Sequence, residues 1–489
     1  MSLVEELNQF LVGRIAFPAV NYALNRKNIL GRYRKLLVSE QSSEDALKEL
    51  QFQKLGAVLR HAYKSIPFYT KRFMEIGLVP GDIKTLEDMR HIPPIVRQDV
   101  IDHRLDMVDA RYRHSVLAAD QAAQTAGFPI PFARFRRHRL VRNTSSGTTG
   151  TPTVFYEDGS TTALSWVHEL RLKQWYGLAP GVKEARLSAI STEYVATSNI
   201  PSARELLWNQ MILPGYFLSD REHELSLRKI RKFRPRVLWG PTPALSALAQ
   251  YVRRANEDIS RCRPDLVISR AAPLYGHEKK LLTEVFGCPV TNIYGTRELG
   301  HVAMNCPHGS IHVNQENYLV EIEGDGINRN SAGLGKILIT PLYESPMPFL
   351  RYRIGDIAEL GGNDCPCGRS LIVLKKIMGR IGEIFKTKDG RQIEPNFWCI
   401  AFEDGRPSQD VERFQVVYRR NGCIRLRIVR RAGYSGETEA DLRHFMEKNL
   451  PSDVQFEFEY VSGIKPQPSG KCPIVVNEIE QREEELVQA

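Results

Sequence analysis

The stretch DLVISRAAPLYGHEKKLLTEVFGCPVTNIY, from Asp265 to Tyr294, decides the fold. A short apolar run, Leu266 to Ile268, leads into a helical stretch, His277–Phe286, and a second apolar run follows at Val290 to Tyr294. That is strand, helix, strand, the unit of a parallel sheet with helices on its faces. The pattern repeats upstream, where Val237-Leu-Trp precedes a helix over Ala244–Ala255. From about 140 to 360 short apolar runs alternate with helical stretches, so the spacing predicts an α/β protein whose large domain has mainly parallel sheets flanked by helices. Residues 42–78 carry helical spacing, with Leu47, Leu50, Leu55, Val58, Leu59 and Ala62 on one stripe. The tail differs. Phe414–Tyr418 and Ile424–Val429 alternate like strands and are joined across Asn421-Gly422, a strong hairpin turn. A helix at Glu437–Asn449 and a strand at Val454–Tyr460 complete a small, separate α+β domain that begins near 380.

A chain of 489 residues exceeds one ordinary core and favours two or three domains. With 42% hydrophobic and 25% charged residues it is neither disordered nor fibrous. The 67 Lys and Arg against 57 Asp and Glu give +10, which suits an acidic partner such as a nucleotide or an anionic surface. The excess is scattered in short clusters, Arg134–Arg142 and Arg419–Arg431, which speaks against nucleic acid. Eight cysteines are too sparse for a disulfide scaffold, and Glu5 and Glu6 stand where a signal peptide wants positive charge. The expectation is a cytoplasmic protein. The helical extension 1–40 could lie on the inner membrane face as an amphipathic helix followed by Arg26, Lys27, Arg32, Arg34 and Lys35, or pack on its own domain.

Five places concentrate chemistry. Asn143-Thr-Ser-Ser-Gly-Thr-Thr-Gly-Thr-Pro-Thr153 puts seven hydroxyls, two glycines and a proline between two strands. Gly147 and Gly150 permit tight turns, so backbone N–H groups and the hydroxyls of Thr144, Ser145, Ser146, Thr148 and Thr149 can converge on a phosphate chain. The same composition also suits a polar linker. Tyr294-Gly-Thr-Arg-Glu-Leu-Gly300 sets Glu298 at a strand's C-terminal end, where a carboxylate can hold Mg²⁺ against phosphates. Arg351-Tyr-Arg-Ile-Gly-Asp356 offers a carboxylate that can accept both hydroxyls of a ribose. Gly379-Arg-Ile-Gly-Glu-Ile-Phe-Lys386 lies at the domain boundary, and Pro466-Gln-Pro-Ser-Gly-Lys471 carries a lone lysine on a loop.

In this order the five motifs resemble the adenylate-forming ligase superfamily. Thr153, in place of the lysine that often follows the loop's first proline, resembles the phenylacetate–coenzyme A ligase and coenzyme F390 synthetase branch. The stretch HAYKSIPFYTKRF with His91-Ile-Pro-Pro is similar to members associated with capsular and exopolysaccharide synthesis. The resemblance implies activation of a carboxylic acid with ATP and Mg²⁺ to an acyl-adenylate, then transfer to the thiol of coenzyme A. It implies that Ser145, Ser146, Gly147, Thr148, Thr149 and Gly150 hold phosphates, with Thr148 counted among the catalytic residues. Glu298 would ligate Mg²⁺, and Ala271, Ala272 and Pro273 would border adenine. Tyr294 would stack on adenine beside Gly295 and Thr296, Asp356 would grip the ribose, and Arg380 would contact ribose or phosphate. Lys471 would bridge carboxylate and α-phosphate from a small mobile domain, 379–489, swinging on a large one, 1–378, about a hinge near 379–383. The sequence departs from the pattern at Arg297, where Thr or Ser is usual, at Gly382-Glu383, where Asp-Asp is expected, and in the loosened loop 465–471.

Cys306-Pro-His308 with His312, and Cys365-Pro-Cys367, are two short clusters of the ligands tetrahedral Zn²⁺ prefers in a reducing compartment. Some members of the resembled branch bear such a structural zinc. Cys306, His312, Cys365 and Cys367 are the favoured set, with His308 competing for the second position and buried free thiols the alternative. Cys262, Cys288, Cys399, Cys423 and Cys472 have no such company. The acyl pocket is expected from 191–201, 239–242 and 291–294, with Tyr194, Trp239 and Gly240 as its candidate residues. The aromatic Tyr194, Trp239 and Tyr294 would suit an aryl or medium acyl acid, and core packing explains them equally well. Two other functions compete: an adenylating enzyme that hands the acyl group to an amine, a hydroxyl on a sugar or a carrier protein, and an inactive scaffold in a polysaccharide complex. Nothing in the sequence chooses between monomer and dimer.

Overall fold

The computed structural model describes residues 3–25, 27–125, 140–145, 153–188, 203–215, 219–323, 334–380, 383–387, 392–393, 395–403, 406–419, 422–464 and 473–478. Ser146, Gly147, Thr148, Thr149, Gly150, Tyr194, Gly382, Lys471 and Cys472 lie outside the described residues.

A two-stranded hairpin of β1 (Val141–Thr144) and β2 (Val154–Glu157) precedes the main sheet. The parallel part of that sheet contains β3 (Glu184–Ser188), β4 (Gln210–Pro214), β5 (Val237–Pro241), β6 (Leu266–Arg270) and β7 (Val290–Thr296), in the order β4-β3-β5-β6-β7. These strands are nearly continuous apolar runs because both faces are covered. Successive side chains point to opposite faces. Leu238 and Val267 pack under the helices Thr242–Arg254 and Gly276–Phe286, with Leu245, Leu248, Leu282 and Phe286. Val237, Trp239 and Ile268 pack on the other face with Leu172 and Trp175 of the helix Gly159–Trp175.

Strand–helix alternation stops at Thr296, short of the extent the sequence suggests. β8 (Gly300–Asn305), β9 (Ile311–Val313), β10 (Tyr318–Glu323), β11 (Gly335–Pro341), β12 (Tyr352–Leu360) and β13 (Val373–Arg380) extend the sheet in the order β7-β8-β9-β13-β12-β11-β10, all antiparallel. The reason is connection length. Residues 297–299 and 306–310 are too few for the crossover that a parallel pair needs. The helix Glu44–Ser65, capped by the Ser43 hydroxyl, lays Leu55, Val58, Leu59 and Ala62 on Val320, Ile337 and Ile339 of this half.

Residues 3–39 form helices Leu3–Leu11, Phe17–Asn25 and Ile29–Ser39, with a π-turn at Val12–Ala16. Val12, Phe17, Ile29, Tyr33 and Leu36 are buried with Ala163, Val167, Leu170 and Trp208. Gly13 sits on the Pro180-Gly181 turn so closely that a Cβ there would lie 2.3 Å from the Pro180 carbonyl oxygen. The extension therefore packs on its own domain, yet leaves Val4, Leu7, Leu11 and Ile15 exposed at 75, 58, 45 and 57%. No helix among the described residues is long and apolar enough to cross a membrane.

Beyond β13 a short pair, β14 (Phe385–Lys386) and β15 (Gln392–Ile393), leads to a four-stranded sheet. Its strands are β16 (Val411–Tyr418), β17 (Ile424–Arg430), β18 (Phe456–Tyr460) and β19 (Val475–Asn477), in the order β18-β17-β16-β19. β16 and β17 form the expected hairpin, with Gly422 at φ +78 in its turn. Trp398, Val416, Leu426, Ile428, Leu442 and Met446 give this sheet and the helix Gly436–Asn449 a core of their own.

Candidate active site and metal centre

Near the C-terminal end of β7, the middle of β12 and the end of β13 come together, and there the chain gathers three residues singled out in its sequence. The Tyr294 hydroxyl donates to Asp356 Oδ2 at 2.7 Å, and Arg380 Nε lies 3.1 Å from Asp356 Oδ1. Asp356 and Arg380 are register partners across the antiparallel β12–β13 pair, so the ladder itself sets their approach. Arg380 also donates to the Ile354 carbonyl at 2.8 Å. Burial works against the Arg380 charge, but Asp356 and then Glu383 outweigh it and raise its pKa. Burial, with Asp356 beside it, pushes the Tyr294 phenol well above its usual value, which keeps it a neutral donor. Gly295 is obligatory here: a Cβ would sit 1.9 Å from the Gly300 carbonyl oxygen across the β7–β8 turn.

The hydroxyl-rich loop is closed at its base like a hairpin. Ser145 N–H donates to the Thr153 carbonyl at 2.9 Å, Thr153 N–H donates to Ser145 Oγ at 3.2 Å, and β1–β2 pairing continues below. Thr153, the position where a lysine is often found, accepts from Arg97 Nε at 2.9 Å, so a cation reaches the loop from a distant helix. Sequence reasoning missed Arg97, and nothing local could have marked it.

Glu298 is half-buried in the β7–β8 turn, where Thr296 Oγ1 accepts from the Leu299 N–H at 3.2 Å. Sequence reasoning also missed Glu157, the last residue of β2. Burial drives its carboxyl up to about 7, against a hydrogen bond from Asn143 at 2.5 Å and the nearby charge of Arg297, while Asp158 and Glu298 add to the rise. Arg297, a departure from the family pattern, thus faces a pair of carboxylates rather than one.

Ala271 takes φ +65, a strained conformation for a residue with a side chain, in the turn after β6. Ala272 and Pro273 follow, and Thr242 pins the turn by donating to the Ala272 carbonyl at 3.1 Å. Trp239 is 1% exposed, and a Cβ on Gly240 would already meet Leu187 Cβ at 2.9 Å. A buried ion network surrounds that strand. Arg186 bonds Glu169 at 2.5 Å and Glu184 at 2.7 Å, and Lys173 bonds Glu184 as well.

A second cluster lies at the other end of β13, where Val373 is the register partner of His312. Cys306 in the β8–β9 turn, His312 in β9, and Cys365 and Cys367 before β13 place one ligand atom each within 4.8 Å of all the others. Cys306 Sγ and Cys365 Sγ are 3.7 Å apart; a tetrahedral zinc with Zn–S of about 2.3 Å has S–S edges of about 3.8 Å. Cys367 Sγ is 3.2 Å from His312 Nε2. His312 Nδ1 lies 3.0 Å from the Leu371 carbonyl, which orients the ring and leaves Nε2 as the ligating nitrogen. Burial lowers the His312 pKa and keeps the ring neutral. His308, the competing ligand, is exposed and outside the cluster.

No family model matches the chain. It is similar to Protein CapK of Staphylococcus aureus, 22% identical over 444 residues that span 88% of this chain and 90% of that protein. It is also similar to the phenylacetate-coenzyme A ligase of Thermus thermophilus, 24% identical over 400 residues, 79% of this chain and 81% of the relative. Among solved structures, 2-hydroxyisobutyryl-CoA ligase in its postadenylation state superposes with a TM-score of 0.68 at 18% identity, covering 92% of this chain and 94% of that one. The same enzyme in its thioesterification state gives 0.55 over the same shares. The motif resemblance to the adenylate-forming ligases and to their phenylacetate–coenzyme A ligase branch is borne out by these relatives and by the fold.

Proposed function

We propose that this chain, an adenylate-forming ligase by its fold and its relatives, activates a carboxylic acid with ATP and passes the acyl group to the thiol of coenzyme A. A carboxylate oxygen attacks the α-phosphorus, the bond to the bridging oxygen breaks, and pyrophosphate leaves. The thiol sulfur then attacks the acyl carbon, the bond to AMP breaks, and the thiol proton passes to solvent. The observation that carries the reading is the Tyr294–Asp356–Arg380 cluster, together with the hydroxyl loop closed by the Ser145–Thr153 bonds. In that reading Ser145 to Gly150 hold the phosphates with Arg97 at the base of the loop, and Asp356 with Arg380 orients the ribose. Ala271, Ala272 and Pro273 border adenine with Tyr294, Gly295 and Thr296. Every role is positioning or electrostatics. Mg²⁺ would be held by Glu298, with Glu157 near it, and would neutralise phosphate charge. Zn²⁺ fits Cys306, His312, Cys365 and Cys367 as a structural clip.

The small C-terminal unit carries Lys471 and would swing about 379–383 between the two steps. The better superposition on a postadenylation arrangement than on a thioesterification one supports an adenylation-side position here. Pyrophosphate release tested with an acid library separates the readings. Release with one acid, followed by thioester formation only when coenzyme A is present, is expected. Release without thioester would favour transfer to an amine, a hydroxyl or a carrier. No release with any acid would leave the scaffold.

We also infer that the protein works in the cytoplasm against the anionic inner membrane face. Val4, Leu7, Leu11 and Ile15 form an exposed apolar stripe, and Arg14, Arg34 and Lys35 of the same helical extension are exposed. Sedimentation with phosphatidylglycerol vesicles is expected, with loss of it for Leu7→Asp with Leu11→Asp and unchanged pyrophosphate release. Undiminished sedimentation of that variant would remove the stripe from the account.

A further inference from the structure

Leu299, the residue after Glu298, is tied down on every side. Its side chain is 1% exposed in the core, while Arg297 is exposed and Glu298 half-buried. Its N–H donates to Thr296 Oγ1 at 3.2 Å. Its carbonyl accepts from the Tyr318 hydroxyl at 2.5 Å and, more weakly, from the Tyr343 hydroxyl at 3.4 Å. The backbone leaving Glu298 is therefore fixed by side chains at two successive peptide units.

The two tyrosines come from the antiparallel half of the sheet. Tyr318 opens β10 and Tyr343 follows β11, and their rings meet edge to face with centroids 6.0 Å apart. Tyr318 is itself held in place. Its ring lies 5.9 Å from that of His168 in the helix Gly159–Trp175, and its carbonyl accepts from Gln51 Nε2 at 3.2 Å. A Cβ on Gly300 would lie 3.2 Å from Ser165 Oγ and 3.5 Å from the Tyr318 hydroxyl oxygen, so the turn is packed closely against this group. Burial pushes the Tyr318 phenol well above its usual pKa, and it stays a protonated donor. Tyr318 is 1% exposed, and a buried hydroxyl needs a partner. Where bulk alone was wanted, phenylalanine would fill the place at no polar cost. The Tyr318 hydroxyl is instead spent on the Leu299 carbonyl, one residue from the metal carboxylate.

We propose that Tyr318, seconded by Tyr343, is a positioning residue for the divalent cation: by holding the Leu299 carbonyl it presents the Glu298 carboxylate to a metal ion carried on the phosphates of ATP. The inference rests on the adenylation reading above and deepens it. Groups outside a metal's own ligands act in this way, by fixing the direction from which a ligand approaches.

The test is Mn²⁺ binding to the full chain with non-hydrolysable α,β-methylene-ATP, read by electron paramagnetic resonance, beside pyrophosphate release as a function of Mg²⁺. Tyr318→Phe keeps the ring and deletes the hydroxyl. It should weaken Mn²⁺ in the nucleotide complex by about tenfold, the lower end for loss of such an outer partner, and excess Mg²⁺ should restore the rate of release. Tyr343→Phe should weaken it less, because its bond is longer. Tyr176→Phe is the control, since Tyr176 also donates to a carbonyl of β8, that of Asn305 at 3.1 Å, at the other end of the strand. It should leave Mn²⁺ affinity unchanged, and equal weakening there would reveal general loosening and overturn the proposal. In a Glu298→Gln background Tyr318→Phe should add little, because the group it positions is gone. A full further loss in that background would overturn the proposal as well. Parental Mn²⁺ affinity in Tyr318→Phe would overturn this inference and leave adenylation standing. No Mn²⁺ bound by the parent protein with the nucleotide would overturn the metal role of Glu298 in that reading, and this inference with it.

Discussion

Lys471→Ala is expected to slow acyl-adenylate formation by about 10²–10³, the cost of losing one preorganised donor to the growing charge of a transition state. The lysine lies just ahead of a well-anchored segment. The Pro473 carbonyl accepts from Gln415 Nε2 at 3.1 Å, and β19 pairs in parallel with β16, so the loop's exit is fixed on the small sheet. A charge carried there can serve the first half-reaction and must leave before a second nucleophile enters. Thioester formation from supplied acyl-adenylate should therefore survive in the variant, with an unchanged melting temperature. Equal loss in both half-reactions would end the assignment.

Purified protein is expected to carry close to one zinc per chain without added metal, and Cys365→Ser or Cys367→Ser should lose it and lower the melting temperature. Cys423→Ser should do neither. The four ligands join the β8–β9 turn to the loop before β13, two irregular stretches whose order would come from the ion, so binding energy appears as folding energy. His312→Ala should cost metal, and His308→Ala should not, because only His312 has a ring nitrogen in the cluster. β13 runs from Val373, the register partner of His312, to Arg380 in the candidate active site, so zinc loss should also weaken adenylation. Elemental analysis finding no zinc in protein prepared without chelators would return the cysteines to the ordinary core.

Local order was legible in the chain itself. Apolar spacing marked the helix that buries Leu47, Leu55, Val58 and Ala62, and Asn421-Gly422 marked the β16–β17 hairpin, because such signals depend only on residues a few positions apart. The five motifs were legible for the same reason, and so was the cysteine and histidine set, since ligand chemistry is carried by residue type. The antiparallel half of the sheet was read as more strand–helix alternation, because apolar runs alone do not say which way a strand turns. What only the tertiary structure decided are the pairings between distant residues: Arg97 on Thr153, Arg186 over Trp239, His301 beside both, and Glu157 within reach of Glu298. A carboxyl driven up to about 7 and a buried imidazole brought down to about 4 are products of desolvation. Desolvation belongs to the packed sheet and its covering helix, and no stretch of sequence holds it by itself.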